Sequence, residues 1–582
     1  MFPKAATLLT ILAIAAAFVF APASNAAENT TVELNLVSLA AWTGQVDPSS
    51  GDAGPTGGAA TLAAYWQNER AANPNTLVLG TGNSFGTSPP ISNLFADEPA
   101  VFAMNAMGFD ADALGNDNFD HGVAYLQRLL TIADFPFIAA NLTNVDQNLS
   151  GVAPYRLFDK GGVKVAVIGV TDPRSPSMVF PGNFGTITVG DPYLAAYNAR
   201  EQAAAAGAQV FVLITELGVT ETPAAGPLLD LAKQLTGFDV ILGNGDTANF
   251  SATINGAQVV AGMGRGQSYG RTTVHYDTVG KKVTGTEVSF VQPLASAVTP
   301  VASVQAMLQT YRSELASRLS ETIATTASVI GLADACGNAV GRTCESITAN
   351  VVADALRATY GGDVALMNAG AIRAGLSCPL TDSAADFCPP YSGLPAPITA
   401  GQVEAILPFN NYAALVTVSG AELKAMLENG VSMVLNADGR FPQVSGLCFW
   451  YDITRSAGSR VIAAVKQAAD GACSGPAIDF GPSAGYRLVT NDFIAAGGDG
   501  YAKPGNAVTY RDRLDAVVSG YLEQQKGLAP RLQGRINCVG ATCPVLISGA
   551  PLPLPATTGS GSSGGPTAAT VRPPSTGDAG LR

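Results

Sequence analysis

The chain is 582 residues long, carries a net charge of −13, and has 47% hydrophobic but only 13% charged residues, with two histidines in all. That length calls for at least two domains with full cores, and the acidic balance argues against a nucleic-acid binder, which needs a basic face to neutralise phosphates. The apolar content excludes wholesale disorder, and two histidines mean that any metal site must be built mainly from oxygen or sulfur ligands.

Residues 1–26 begin MFPK, run apolar from Ala5 to Phe20 and continue as APASNA, the layout of a secretory signal peptide. The apolar run is shorter than the roughly 20 residues of a membrane-spanning helix. No later stretch reaches that length, so no transmembrane anchor is expected and the mature chain is placed outside the cytoplasm. From 29 to 295, VELNLV, TLVLG, VKVAVIGV, QVFVLI and DVILG read as buried strands, and TLAAYWQNERAA and YNAREQAAAAGA between them read as helices. The alternation predicts an α/β domain. ASVQAMLQTYRSELASRLSET predicts one unbroken helix over 302–322, inside a linker spanning 300–323. A second, α+β domain is expected over 325–540. All eight cysteines follow residue 335, in four close pairs: Cys336 and Cys344, Cys378 and Cys388, Cys448 and Cys473, Cys538 and Cys543. Disulfides between sequence neighbours are the simplest connectivity for an exported chain. A zinc site is the weaker alternative, because no CxxC spacing occurs and no histidine is near a cysteine in sequence. Residues 546–582 are rich in Pro, Gly, Ser and Thr, cannot bury a core, and read as a disordered tail.

Four ordered segments of the second domain carry a family resemblance: SITANVVADALRATYGGDVALMNAGAIRAGL, ITAGQVEAILPFNNYAALVTVSGAELKAMLENG, GRFPQVSGLCFWYD and YRLVTNDFIAAGGDGY. In order and spacing they resemble the C-terminal, substrate-binding domain of the 5′-nucleotidase family. The resemblance implies a nucleotide or nucleoside ligand, its base held between Phe409 and Phe493 and its ribose by Asp499. Arg357, Asn368 and Arg373 complete the polar set. Stacking on a ring contributes about 1–3 kcal/mol per base, and a guanidinium fork suits phosphate oxygens. The family's NGGGIR is NAGAIR here. If the positions of Ala369 and Ala371 require positive φ or close approach to the ligand, affinity falls.

The first domain resembles the family's metallophosphoesterase domain, an α/β/β/α sandwich that holds two divalent metals and activates water. LGNDNFDHG, FIAANLTN, VKVAVIGVTD and FDVILGNGDT match its framework. The metal positions map onto Ala41, Thr43, Asn83, Asn116, Glu216, Asn244 and Asp246, of which only Asn116 keeps the family's residue type. The catalytic histidine maps onto Asp117, while the catalytic aspartate is kept as Asp120. Ala41 cannot ligate, Thr43 and Asn83 are weak neutral ligands, and an ionised Asp117 repels a phosphate dianion. His121 and His275 read as structural. The resemblance therefore implies an exported nucleotide binder with two-metal phosphoesterase activity weakened or lost, and whether it remains an enzyme is open. One alternative is an active nucleotide phosphohydrolase with a remodelled oxygen-ligand site for a single hard cation, Ca²⁺ or Mg²⁺. The other is a structural or adhesive surface protein.

Overall fold

The computed structural model describes residues 31–49, 54–219, 224–245, 248–378, 387–389 and 393–546; the expected signal peptide, the tail from 547 and Asp246 lie outside them. The chain forms two compact units that divide between Ser317 and Arg318.

The first unit is built on two six-stranded sheets. One runs in the order Lys282–Val291, Tyr269–Asp277, Thr31–Leu39, Thr76–Gly80, Ala111–Ala113, Phe137–Ile138; the other in the order Phe250–Ile254, Ala257–Gly262, Val240–Asn244, Val210–Gly218, Val163–Val170, Tyr155–Lys160. The apolar strands are buried on both faces because successive side chains point to opposite sides. Leu34, Leu36, Leu77 and Leu79 of one sheet and Val163, Val165, Val210 and Val212 of the other share the core between the sheets. Val37, Leu39 and Val78 face outward onto the helices Ala59–Ala72, Glu98–Met107 and Val123–Ile132. On the opposite side Ala166, Ile168 and Val170 pack on the helices Pro192–Ala205 and Pro227–Ala232. The result is the expected α/β/β/α layering.

Two helices differ from their predicted extents. YNAREQAAAAGA predicts a helix over 197–208, whereas the helix spans Pro192–Ala205. Asp191 caps it by accepting from Leu194 N at 3.0 Å, proline occupies the first turn, and Gly207 at φ 90° lies just past its end. The linker helix spans Ala302–Leu319, and Thr322 already opens a strand, Thr322–Thr326, whose β-branched residues pair with Ala396–Thr399. The helix is not a free spacer: Val304 and Leu308 are buried in the first unit's outer core and Tyr311 packs edge-on against Phe95.

The second unit centres on a five-stranded sheet in the order Pro442–Ser445, Val364–Asn368, Gly485–Asn491, Tyr412–Ser419, Thr509–Arg513. Its two faces again feed separate cores: Val364, Leu366, Val416 and Leu488 on one side, Ala365, Met367, Ala413 and Val489 on the other. Four disulfides join the cysteines as sequence neighbours: Cys336–Cys344, Cys378–Cys388, Cys448–Cys473 and Cys538–Cys543. Among the described residues no helix is long and apolar enough to cross a membrane.

Candidate functional site

In the second unit, Val364–Asn368 and Gly485–Asn491 run parallel, and a group of polar residues collects at their carboxyl ends. Asn368 ends the first strand and donates its Nδ2 to Asp499 Oδ2 at 2.8 Å, while its Oδ1 accepts from Asn491 Nδ2 at 2.9 Å. Asn491 also caps the short helix Asp492–Ala495 that carries Phe493. The Phe493 ring lies against Gly498: a Cβ there would stand 2.3 Å from the ring. This gives the GGDG segment a mechanical reason, since any side chain at 498 would push the ring from its seat. Arg373 lies over the Phe409 ring, 5.7 Å from its centroid, and is tied to the same Asn368–Arg373 loop by the bond from its NH1 to Gly370 O at 3.5 Å.

Ala369 and Ala371 lie in a 3₁₀ turn without positive φ, and their methyls enter the two cores. The retained glycine is the crowded one, because a Cβ at Gly370 would stand 3.0 Å from the Gly439 Cα. The substitution that raised doubt about affinity is therefore compatible with the loop.

Arg357 stands apart from the other five residues of the expected set. Its Nε donates to Ser445 Oγ at 2.7 Å, and that hydroxyl bonds Asp354 Oδ1 at 2.5 Å. Ser445 pairs with Ala365, near the start of the strand that Asn368 ends. A helix that runs back along the sheet delivers Arg357 to the opposite end of the strand. The cations whose charge reaches Asp499 are instead Arg342 and Arg440. Motif reading missed both. Arg440 is held by Asp438 at 3.0 Å, and Arg342 sits in the loop closed by Cys336–Cys344. A charged residue inside a short disulfide loop was the available signal.

Burial raises the Asp499 carboxyl from 3.8 to about 6; the Asn368 hydrogen bond opposes this, Asp438 adds to it, and the two arginines pull it down. The value is raised above that of the unfolded chain, so the ionised group costs folded stability above about pH 6. The unliganded protein is expected to gain stability from this group as pH falls from about 6 to 3.8. Asp499→Asn, which tolerates the residue's φ of 53°, is expected to raise stability at neutral pH by on the order of 1–3 kcal/mol and to remove that pH increment. Scanning calorimetry across this range checks both.

In the first unit the family's metal positions again lie at carboxyl ends of strands. Ala41, Thr43 and Asn83 have φ of 30°, 51° and 55°, left-handed backbone that is an outlier for a β-branched residue and costs on the order of 1–3 kcal/mol each. Backbone bonds hold this cradle: Thr43 N to Asn83 O at 2.9 Å, Gly44 N to Ser84 O at 2.7 Å, Arg265 N to Ala41 O at 3.0 Å. The side chains within it face one another. Asn83 Oδ1 accepts from Asp117 N at 3.0 Å, and its Nδ2 donates to Asn116 Oδ1 at 3.1 Å. Asn116 Nδ2 donates to Asp117 Oδ1 at 2.7 Å, and Thr87 Oγ1 donates to Asp117 Oδ2 at 3.1 Å. Glu216, buried, accepts at Oε2 from Asn116 N at 2.7 Å and at Oε1 from Asp172 N at 2.9 Å and Ser175 Oγ at 2.8 Å. Burial, with Asp172 nearby, raises its carboxyl to about 7 against those three bonds.

Oxygens that would ligate cations are thus turned onto protein donors, and Ala41 has no donor atom. These residues do not fit a two-metal centre. Asp120 follows the 3₁₀ turn Asn116–Phe119, and its carbonyl accepts from Asn183 Nδ2 at 2.6 Å. Asn244 is buried at the end of its strand. His121 packs on the Tyr125 ring at 4.6 Å, its pKa lowered by burial, and His275 lies between Glu33 and Glu287 at 3.5 and 3.6 Å. In the second unit Asp334, Cys336 and Cys344 approach as a metal site would, but both sulfurs are in a disulfide.

Residues 323–504 match the model of the 5′-nucleotidase C-terminal domain family. Over 82% of its length the chain is 27% identical to Endonuclease YhcR of Bacillus subtilis, of which it spans only 38%. It is 26% identical to the 5′-nucleotidase of Bos taurus, covering 84% of this chain and 86% of that one. The crystal structure of a 5′-nucleotidase precursor from Thermus thermophilus superposes with a TM-score of 0.76 at 27% identity, covering 87% of this chain and 99% of that one. Two units of this architecture, the second carrying a 5′-nucleotidase C-terminal domain, define the class. Residues 323–504 belong to the 5′-nucleotidase C-terminal domain family, and over most of its length the chain is similar to 5′-nucleotidases.

Proposed function

We propose that the protein is exported and binds nucleotides or nucleosides through its second unit, with two-metal phosphoesterase activity weakened or lost. The carrying observation is the closed hydrogen-bond network of Asn83, Asn116, Asp117 and Glu216 at the positions that would hold metals. In the second unit, Asn368, Arg373, Phe409, Phe493 and Asp499 keep the ring and polar chemistry that a nucleotide requires, at one end of one sheet. Phe409 and Phe493 hold the base, Asp499 accepts from ribose hydroxyls, and Arg373 meets the phosphate. Four disulfides agree with an oxidising compartment outside the cytoplasm.

Calorimetric titration with AMP, ADP, UDP-glucose and adenosine is expected to show binding without any added cation. No heat for any of the four, with the protein folded, refutes the reading. Metal analysis that finds a stoichiometric hard cation, with phosphate release that depends on it, favours the remodelled hydrolase.

A further inference from the structure

Phe409 is held from both directions along the chain, and both holds lead to one place, the start of the helix Leu514–Gln525. Before it runs the seven-residue helix Ala400–Ile406, capped by Thr399 Oγ1, which accepts from Gln402 N at 3.0 Å. The Ile406 carbonyl accepts from Arg373 N at 2.9 Å, so this helix also sets the arginine that lies over the Phe409 ring. After it Asn410 turns the chain at φ 58°, Asn411 O accepts from Leu514 N at 2.9 Å, and Asn411 Nδ2 donates to Asp492 Oδ1 at 2.7 Å. Val403, Ile406 and Leu407 share a core with Leu514, Val517 and Val518, but apolar burial is non-directional and does not by itself fix one helix along another. A polar link does. Arg513 Nε donates to Asp515 Oδ1 at 2.8 Å, and the same guanidinium donates from NH2 to Glu404 Oε2 at 3.5 Å. The Glu404 and Asp515 side chains are each only 15% exposed.

We infer that Glu404 is a positioning residue of the nucleotide pocket: through Arg513 it fastens the helix Ala400–Ile406 to the helix Leu514–Gln525 and so fixes the seat of Phe409, a role that rests on the nucleotide-binding reading above. Burial raises the Glu404 carboxyl from 4.5 to about 7, and Asp515 adds to it; Arg513 and Arg318, the first residue of the second unit, pull it down. A released, solvated Glu404 returns toward 4.5. Fastening is therefore strongest below about pH 4.5, weakens as pH rises to about 7, and stays at that lower level above it.

The test is calorimetric titration of adenosine, which has no phosphate to titrate, into the full chain at about pH 5 and about pH 8, for wild type, Glu404→Gln and Glu404→Ala. Glutamine copies the neutral carboxyl, keeping an acceptor for Arg513 and setting an amide against Asp515. Wild type and Glu404→Gln are expected to bind alike at the lower pH. At the higher pH Glu404→Gln is expected to bind about two- to fivefold more tightly, the range that a partly exposed link of this kind allows. Glu404→Ala is expected to be weaker than Glu404→Gln by a similar factor at both. All three proteins share Asp499, so its titration cancels in the comparison. In a Phe409→Ala background the loss from Glu404→Ala is expected to vanish, and in a Phe493→Ala background to remain whole. Equal affinity of the Gln and Ala variants, wild type that matches Glu404→Gln at the higher pH, or a loss undiminished without Phe409 would overturn the inference. If Glu404→Ala does not fold, Arg513→Gln, which breaks the same link from its other side, is expected to show the same loss and the same dependence on Phe409; a loss independent of Phe409 overturns it. Wild type that binds adenosine at neither pH refutes the pocket reading itself, a result separate from any of these.

Discussion

A Phe409→Ala, Phe493→Ala double variant is expected to bind AMP and adenosine more weakly by roughly two to four orders of magnitude, since each ring contributes on the order of 1–3 kcal/mol of stacking. Both rings are only partly buried, so the fold is expected to survive their loss. The Phe493 ring is seated on Gly498 and Phe409 carries Arg373 above it, so each ring belongs to a polar cluster rather than to a core alone. Each single variant is expected to lose about half of the total in free energy, as separate faces of one base demand. Titration of both ligands into a variant with unchanged circular dichroism checks this. Wild-type affinity in the double variant would move any ligand site elsewhere and strengthen the structural or adhesive alternative.

Glu216→Ala is expected to destabilise the first unit by about 3 kcal/mol or more, with or without divalent cations. The side chain is buried and accepts from Asn116 N, Asp172 N and Ser175 Oγ. Its removal strands three buried donors, each worth on the order of 1–3 kcal/mol when left without an acceptor. Glu216→Gln keeps one acceptor oxygen and is expected to cost less. A metal ligand behaves in the opposite way: in chelator its removal relieves a buried carboxylate, and only the cation-loaded protein loses stability. Chemical denaturation of wild type and both variants, in EDTA and in Mn²⁺, separates the two roles.

The sandwich was legible because strands such as VKVAVIGV must bury both faces, and the structure places alternate residues of that strand in two different cores. Element ends were less legible. The helix beginning at Pro192 depends on the Asp191 cap, and the linker helix stops at Leu319 because Thr322–Thr326 is drawn into a sheet with residues more than seventy positions away. The pocket shows the same division. Asn368, Arg373, Phe409, Phe493 and Asp499 lie in motifs attached to the carboxyl ends of neighbouring strands, so motif order predicts their meeting. Arg357 lies in an equally well-matched segment, but its helix carries it to the other end of the sheet, where it bonds Ser445. In the first unit, the loss of Ala41 as a ligand could be read from residue type alone. That Asn83, Asn116, Asp117 and Glu216 would bond to one another depends on strand register across as many as a hundred residues, which residue types do not encode.

The proposed function, a nucleotide site in the second unit and a first unit whose side chains at the family's metal positions satisfy one another, predicts binding without turnover. Phosphorus-31 magnetic resonance of AMP mixed with equimolar protein and Mn²⁺-free Mg²⁺ buffer reads both properties in one sample. A shifted and broadened AMP resonance that persists, with no growth of inorganic phosphate, is expected. A growing phosphate signal, or an AMP resonance identical to that of free AMP, would contradict it.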